Sequence, residues 1–174
     1  MFTLPITVQT TSPILLAPLE NCYRQLQRRD ERHMTTITID NRARTVAEGL
    51  KSCTLPYAKW THEAHWLTAF VFTLEEEEPL EAISKAIFRY NDQVGTPNSD
   101  TDGFHATITA ASMAAAQALA AEANGTVSDI VTDLMAGPLG SMHWLERHYS
   151  PETLWSLEAR KAFIAPDREP LPKL

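Results

Sequence analysis

Residues 79 to 95 read PLEAISKAIFRYNDQVG, and this stretch decides the fold class. Leu80, Ile83, Ile87, Tyr90 and Val94 recur at alternating spacings of three and four, the period of one face of an α-helix. Pro79 suits the first helical position, where the missing N–H costs nothing. Gly95 suits the position just past the end, and Thr96-Pro97 blocks continuation. The run Glu75 to Glu78 would oppose the macrodipole if it closed a preceding helix, so it fits better as a turn leading into a new one.

Working outward, the neighbouring segments carry the same period. Asp40 predicts an N-cap for a helix over residues 41–52, with Val46 and Leu50 at i, i+4. Thr61 predicts a cap for a helix from His62 to about Leu74. Leu67, Phe70, Val71 and Leu74 fall on one side of it and Trp66, Ala69 and Phe72 on the other. A helix apolar on two sides belongs in the centre of a core. Residues 96–103 read as a loop. Asp102 predicts a cap for a long alanine-rich helix from Gly103 to Asn124, closed by Gly125. Ser128 predicts a cap for Asp129 to Met135. A short helix follows around Met142 to His148, and Ser150-Pro151-Glu152 starts a last helix running to about Phe163. The only strand-like alternation is the weak TITID at residues 36–40. The expected class is all-α, a compact bundle of five to seven helices, with an extended tail from Pro166.

Composition agrees with a globular domain. The chain has 174 residues, 44% hydrophobic and 21% charged, which suits one domain with a substantial core. Residues 1–33 read differently, broken by Pro5, Pro13 and Pro18 and carrying Arg24, Arg28, Arg29 and Arg32. They are either an N-terminal arm or an extension ahead of a true start at Met34, leaving residues 34–174 as the helical domain. A net charge of −7 argues against a nucleic-acid partner. The longest mainly apolar run, Trp66 to Leu74, falls well short of the roughly 20 residues of a membrane span, so no membrane partner is expected. The two cysteines, Cys22 and Cys53, have neither a CxxC nor a metal-type spacing. A cytoplasmic protein is the simplest reading.

Three histidines carry the chemistry. His62 and His65, in HEAH, lie three apart on a helix and share a face. His105, in GFHATIT, opens the long helix. Convergence of the three imidazoles would make a site for one divalent ion, Zn, Cu or Fe, with open positions. Thr109 and Ser112 lie on the His105 side and could orient a ligand, with Trp66, Tyr90 and Asn91 adding to the pocket. In an enzyme, His62, His105 and Thr109 are the candidate catalytic residues: with metal the site would activate water or oxygen, and without it one histidine would serve as general base, with Thr109 or Tyr90 positioning the substrate. The motif has a structural alternative, because HxxH lacks the HExxH geometry of zinc proteases. Imidazoles on a core helix can instead cap or hydrogen-bond buried backbone.

These pieces also come in a recognisable order: HEAH, RYN with a following GT, [YF]H-x-T-x-T, YS-x-x-x-LWS-x-x-AR and PD. Here they are Trp60 to His65, Arg89 to Thr96, Phe104 to Thr109, Tyr149 to Arg160, and Pro166-Asp167. The order resembles a family of small, uncharacterised bacterial proteins over roughly residues 45–168. The resemblance implies positions rather than a reaction. It also implies a Glu where this chain has Ala106, so any carboxylate that relatives use there is lost. Three functions stay open: a small-molecule enzyme with a three-histidine site, a non-catalytic small-molecule binding module with the same pocket, and a helical interaction protein with structural histidines. A homo-oligomer stays open as well.

Overall fold

The structure is a computed structural model that describes residues 36–171. The reading of residues 1–33 lies outside that range. Among the described residues the architecture is all-α. Seven α-helices run in the order α1 (Asn41–Lys51), α2 (His62–Glu75), α3 (Pro79–Val94), α4 (Ala106–Ala120), α5 (Val127–Ala136), α6 (Pro151–Leu154) and α7 (Leu157–Lys161). Two-residue strands β1 (Ile37–Thr38) and β2 (Gly125–Thr126) pair in parallel, Ile37 opposite Gly125. No described helix is long and apolar enough to cross a membrane.

Helix α2 is the hub, packed against α1, α3, α4 and α5. Its sequence explains this, since Trp66, Leu67, Ala69, Phe70, Val71 and Phe72 are all buried and leave it no solvent face in the middle. The Thr61 hydroxyl caps it by accepting from the Ala64 amide at 3.3 Å. Asp40 caps α1, its Oδ1 accepting from the Arg42 and Ala43 amides at 3.0 and 3.3 Å. Helix α3 begins at Pro79 and closes on Gly95 at φ 76°, a left-handed turn that glycine adopts without strain. Its inner stripe holds Ile83, Ile87 and Tyr90, whereas Leu80 is 42% exposed and lies outside the core it was expected to join. Leu80 sits in the first turn, where the helix has only begun to approach its neighbours.

Three further boundaries differ from expectation. Helix α4 starts at Ala106 and not at Gly103, because the preceding loop is held in place. Asn98 Oδ1 accepts from the Phe104 amide at 3.1 Å and from Asn91 Nδ2 at 3.0 Å. Gly103 has φ +78°, and a Cβ there would fall 2.4 Å from the Pro97 carbonyl oxygen. His105 is therefore the cap, and Asp102 is spent within the loop, accepting from the Thr101 hydroxyl at 2.8 Å. Helix α5 is capped by Thr126 rather than Ser128, whose hydroxyl and amide instead bond Asp40 at 2.8 and 2.9 Å. The last predicted helix is two, because Ser156 takes extended backbone and caps α7 by accepting from the Ala159 amide at 3.1 Å. The segment around Met142 to His148 is a tight 3₁₀ turn, Trp144–Arg147.

Candidate functional site

The first two turns of α2 face α4 and the 3₁₀ segment after it, and a pocket of about 190 Å³ opens there. His62, His65 and Trp66 line it from α2, and Ile108 and Ser112 from α4. Met142, His143, Trp144, Leu145 and Glu146 form another side, with Leu154 and Trp155 completing the wall. Four residues singled out from the sequence thus meet here: His62, His65, Trp66 and Ser112.

The state of each polar group follows from its partners. His65 Nδ1 lies 2.7 Å from the Thr61 carbonyl oxygen. A carbonyl only accepts, so Nδ1 carries the proton and Nε2 keeps its lone pair. That lone pair has no protein partner among the described residues. One ring face stacks on Trp60, with centroids 3.8 Å apart. Burial pushes the His65 imidazole down to about 4; the Thr61 bond works against this, and the neighbouring His62 adds to it. The ring keeps an exposed edge, where water solvates an imidazolium and softens the depression.

His62 Nε2 lies 3.1 Å from the Leu139 carbonyl oxygen and 3.2 Å from Trp66 Nε1. One neutral ring nitrogen cannot both donate to the first and accept from the second. The buried Trp66 N–H can only donate, so it takes the Nε2 lone pair, and the His62 proton sits on Nδ1. The Ser112 hydroxyl has no hydrogen-bond partner among the described residues, which leaves it available to a ligand. At the mouth, His143 Nδ1 pairs with Glu146 Oε1 at 2.7 Å.

The other expected site residues do structural work. His105 is 6% exposed and uses both ring nitrogens. Nε2–H donates to the Leu154 carbonyl oxygen at 2.9 Å, and Nδ1 accepts from the Ile108 amide at 3.4 Å. Burial holds its pKa below the ordinary histidine value; the Leu154 bond opposes this and the Arg160 charge reinforces it. Neither nitrogen is free to ligate. Among the described residues no three His, Cys, Asp or Glu side chains, His62, His65 and His105 included, are grouped to hold a metal ion. Thr109 bonds back to the His105 carbonyl at 3.0 Å. Tyr90 is buried and donates to the Leu55 carbonyl at 3.0 Å, while Asn91 braces Asn98. None of these four lines the pocket.

The C-terminal motif is structural too. Asp167 accepts from the Ser150 amide at 2.8 Å, the Ser150 hydroxyl at 2.5 Å and the Thr153 hydroxyl at 2.7 Å. The Ser150 hydroxyl, the Thr153 hydroxyl and the Ser150 amide together hold the Asp167 carboxyl down to about 2. Tyr149 donates to the Ile164 carbonyl at 2.9 Å, and Arg160 to the Phe104 carbonyl at 3.3 Å. The motif therefore clasps the chain around α6 and α7. It sets the position of Leu154 and Trp155, and through them one wall of the pocket.

Sequence reasoning missed Trp144, Trp155, His143 and Glu146. The i, i+3 spacing of His143 and Glu146 was a usable signal, because such pairs meet on a helical turn. Comparison with family models, curated proteins and solved structures finds no match for this chain.

Proposed function

We propose that this protein binds a small organic molecule in the His65 pocket, with His65 Nε2 as the fixed hydrogen-bond acceptor that orients it. The observation that carries this reading is the Thr61 bond. It fixes the tautomer and leaves one lone pair unclaimed on a residue that lines an aromatic-walled cavity. Pockets of this kind combine apolar walls with a few placed polar groups. The Ser112 hydroxyl, also on the lining, supplies a complementary polar group.

Burial lowers the His65 pKa from its ordinary value, so the imidazole is mainly neutral and able to accept a hydrogen bond near neutral pH. A metal-dependent function would need a donor other than His105, since both of its nitrogens are engaged. The cytoplasm is the compartment we assign, in keeping with the free thiol of Cys53.

Ligand-observed NMR with a library of single-ring fragments, on the full chain and on His65→Phe, tests the proposal. Hits bearing an N–H or O–H donor should bind the parent and lose at least about tenfold in the variant. Fragments binding both forms equally would remove His65 from the site.

A further inference from the structure

The pocket has an electrostatic sign, which narrows the ligand class. Its walls include three indoles, Trp66, Trp144 and Trp155, and among the described residues its lining contains no Lys or Arg. Among the described residues the only carboxylate on it is Glu146, at the exposed mouth, where one oxygen is paired with His143 Nδ1 and the other is open to a ligand. The arginines of the adjoining segments are committed elsewhere. Arg147 is paired with Glu169, and Arg168 Nη1 donates to the Glu146 main-chain carbonyl at 2.7 Å. Neither lines the cavity.

Indole faces carry the negative side of an aromatic quadrupole and attract cations within about 6 Å. Trp66 and Trp144 lie with ring centroids 5.9 Å apart, inclined at 47°, and both are buried, so they form the aromatic floor of the pocket. Trp155 is 63% exposed although it stands on the pocket rim, which leaves its indole available to cover an occupant. A carboxylate or phosphate would find no Lys or Arg among the described lining residues. An ammonium would find a carboxylate, aromatic faces and an imidazole lone pair, and the chain's net charge of −7 favours its approach.

Size sets the second limit. A volume of about 190 Å³ is slightly above the roughly 150 Å³ cavity that takes benzene. We propose that the pocket takes an organic cation, a protonated amine carried on an apolar body of about one ring, with its ammonium held by Glu146 and its body against the tryptophans. The inference rests on the reading of this cavity as a small-molecule site.

Isothermal titration of the full chain at pH 7.5 with three probes of matched size tests it: 2-phenylethylamine, 2-phenylethanol and phenylacetate. The amine should bind about tenfold or more tighter than the alcohol, with phenylacetate weakest. In Glu146→Gln, an exposed substitution that leaves the core untouched, amine affinity should fall to the level of the alcohol while alcohol binding stays unchanged. Equal binding of amine and alcohol, or a preference for phenylacetate, overturns the cation assignment and leaves the pocket reading intact. Amine affinity unchanged in Glu146→Gln overturns the role of the carboxylate and the proposal with it. Failure of all three probes to bind overturns the pocket reading as well.

Discussion

The Nδ1–H of His65 donates to the carbonyl oxygen of Thr61 at 2.7 Å, one helical turn earlier. Thr61 is also the N-cap of α2, so the residue that starts the helix fixes the tautomer of the histidine above it. The carbonyl acts on the ring while the hydroxyl satisfies the Ala64 amide. A local helix-start signal and the chemistry of the pocket are thus coupled through one residue.

A pH dependence follows from this histidine. Its ordinary value is 6.5 and burial lowers it to about 4, so between those values the unfolded chain binds the proton that the folded chain refuses. Stability then rises with pH across that window, and the contribution is complete above 6.5 and lost as pH falls toward 4. Histidine 105 acts in the same direction, and Asp167 adds a loss only below its ordinary 3.8. Urea melts at pH 4.5, 5.5, 6.5 and 7.5 should show the parent losing stability more steeply than His65→Gln toward acid. Parallel curves for the two proteins would contradict the depressed histidine.

His105→Ala should destabilise rather than merely disarm. The substitution removes the cap on the Ile108 amide and leaves the buried Leu154 carbonyl without its donor. A lost cap costs about 1 kcal/mol and an unsatisfied buried group about 1–3 kcal/mol. A combined loss of about 2–4 kcal/mol is expected in denaturant melts. Unchanged stability would mean that the ring is not held between α4 and α6 as described.

What the sequence made legible was local. Thr61, Pro79 and Gly95 act on residues within one turn, as does Asp40 in its cap of α1, and each marks the boundary it was expected to mark. The α4 start was missed because Asn98, six residues upstream, holds the Phe104 amide and delays the helix. His105 was misplaced for a stronger reason. Its partner Leu154 is 49 residues away, and no spacing rule reports such a bond. The pocket was half legible for the same cause. Its α2 and α4 residues follow helical spacing, while Trp144 arrives on a 3₁₀ turn and Trp155 on a segment that the Asp167 clasp positions.

One helix offers a test of register within a single stripe. Ile87 is 9% exposed and Leu80 is 42% exposed, although the sequence places both on the same face of α3. Ile87→Ala should cost about 2–5 kcal/mol, from lost burial and the cavity left behind. Leu80→Ala should stay within about 1 kcal/mol, as expected for a side chain already half in water. Urea melts of the two variants side by side decide it. Equal costs would show that the first turn of α3 is packed as tightly as its middle.

Asp40 supports the domain at two points. Its Oδ1 accepts from the Arg42 and Ala43 amides at the start of α1 and from the Ser128 hydroxyl at 2.8 Å, and its Oδ2 accepts from the Ser128 amide at 2.9 Å in α5. One carboxylate therefore stands at two helix N-termini, where partial positive charge from both favours it. Burial alone would raise its pKa; the Ser128 amide and hydroxyl and the Ala43 and Arg42 amides outweigh it and hold the carboxyl below its ordinary value. A single cap is worth about 1 kcal/mol, and typical losses run 0.5–2 kcal/mol. Asp40→Ala should therefore cost about 2 kcal/mol, more than an ordinary cap, because two helix starts lose their acceptor. Ser128→Ala removes only one of the four contacts and should cost about 0.5–1 kcal/mol. The double variant should cost less than the sum of the two, since the Ser128 hydroxyl bond can be lost only once. A double-mutant cycle in urea measures this directly, and strict additivity would show that the two side chains do not act on each other.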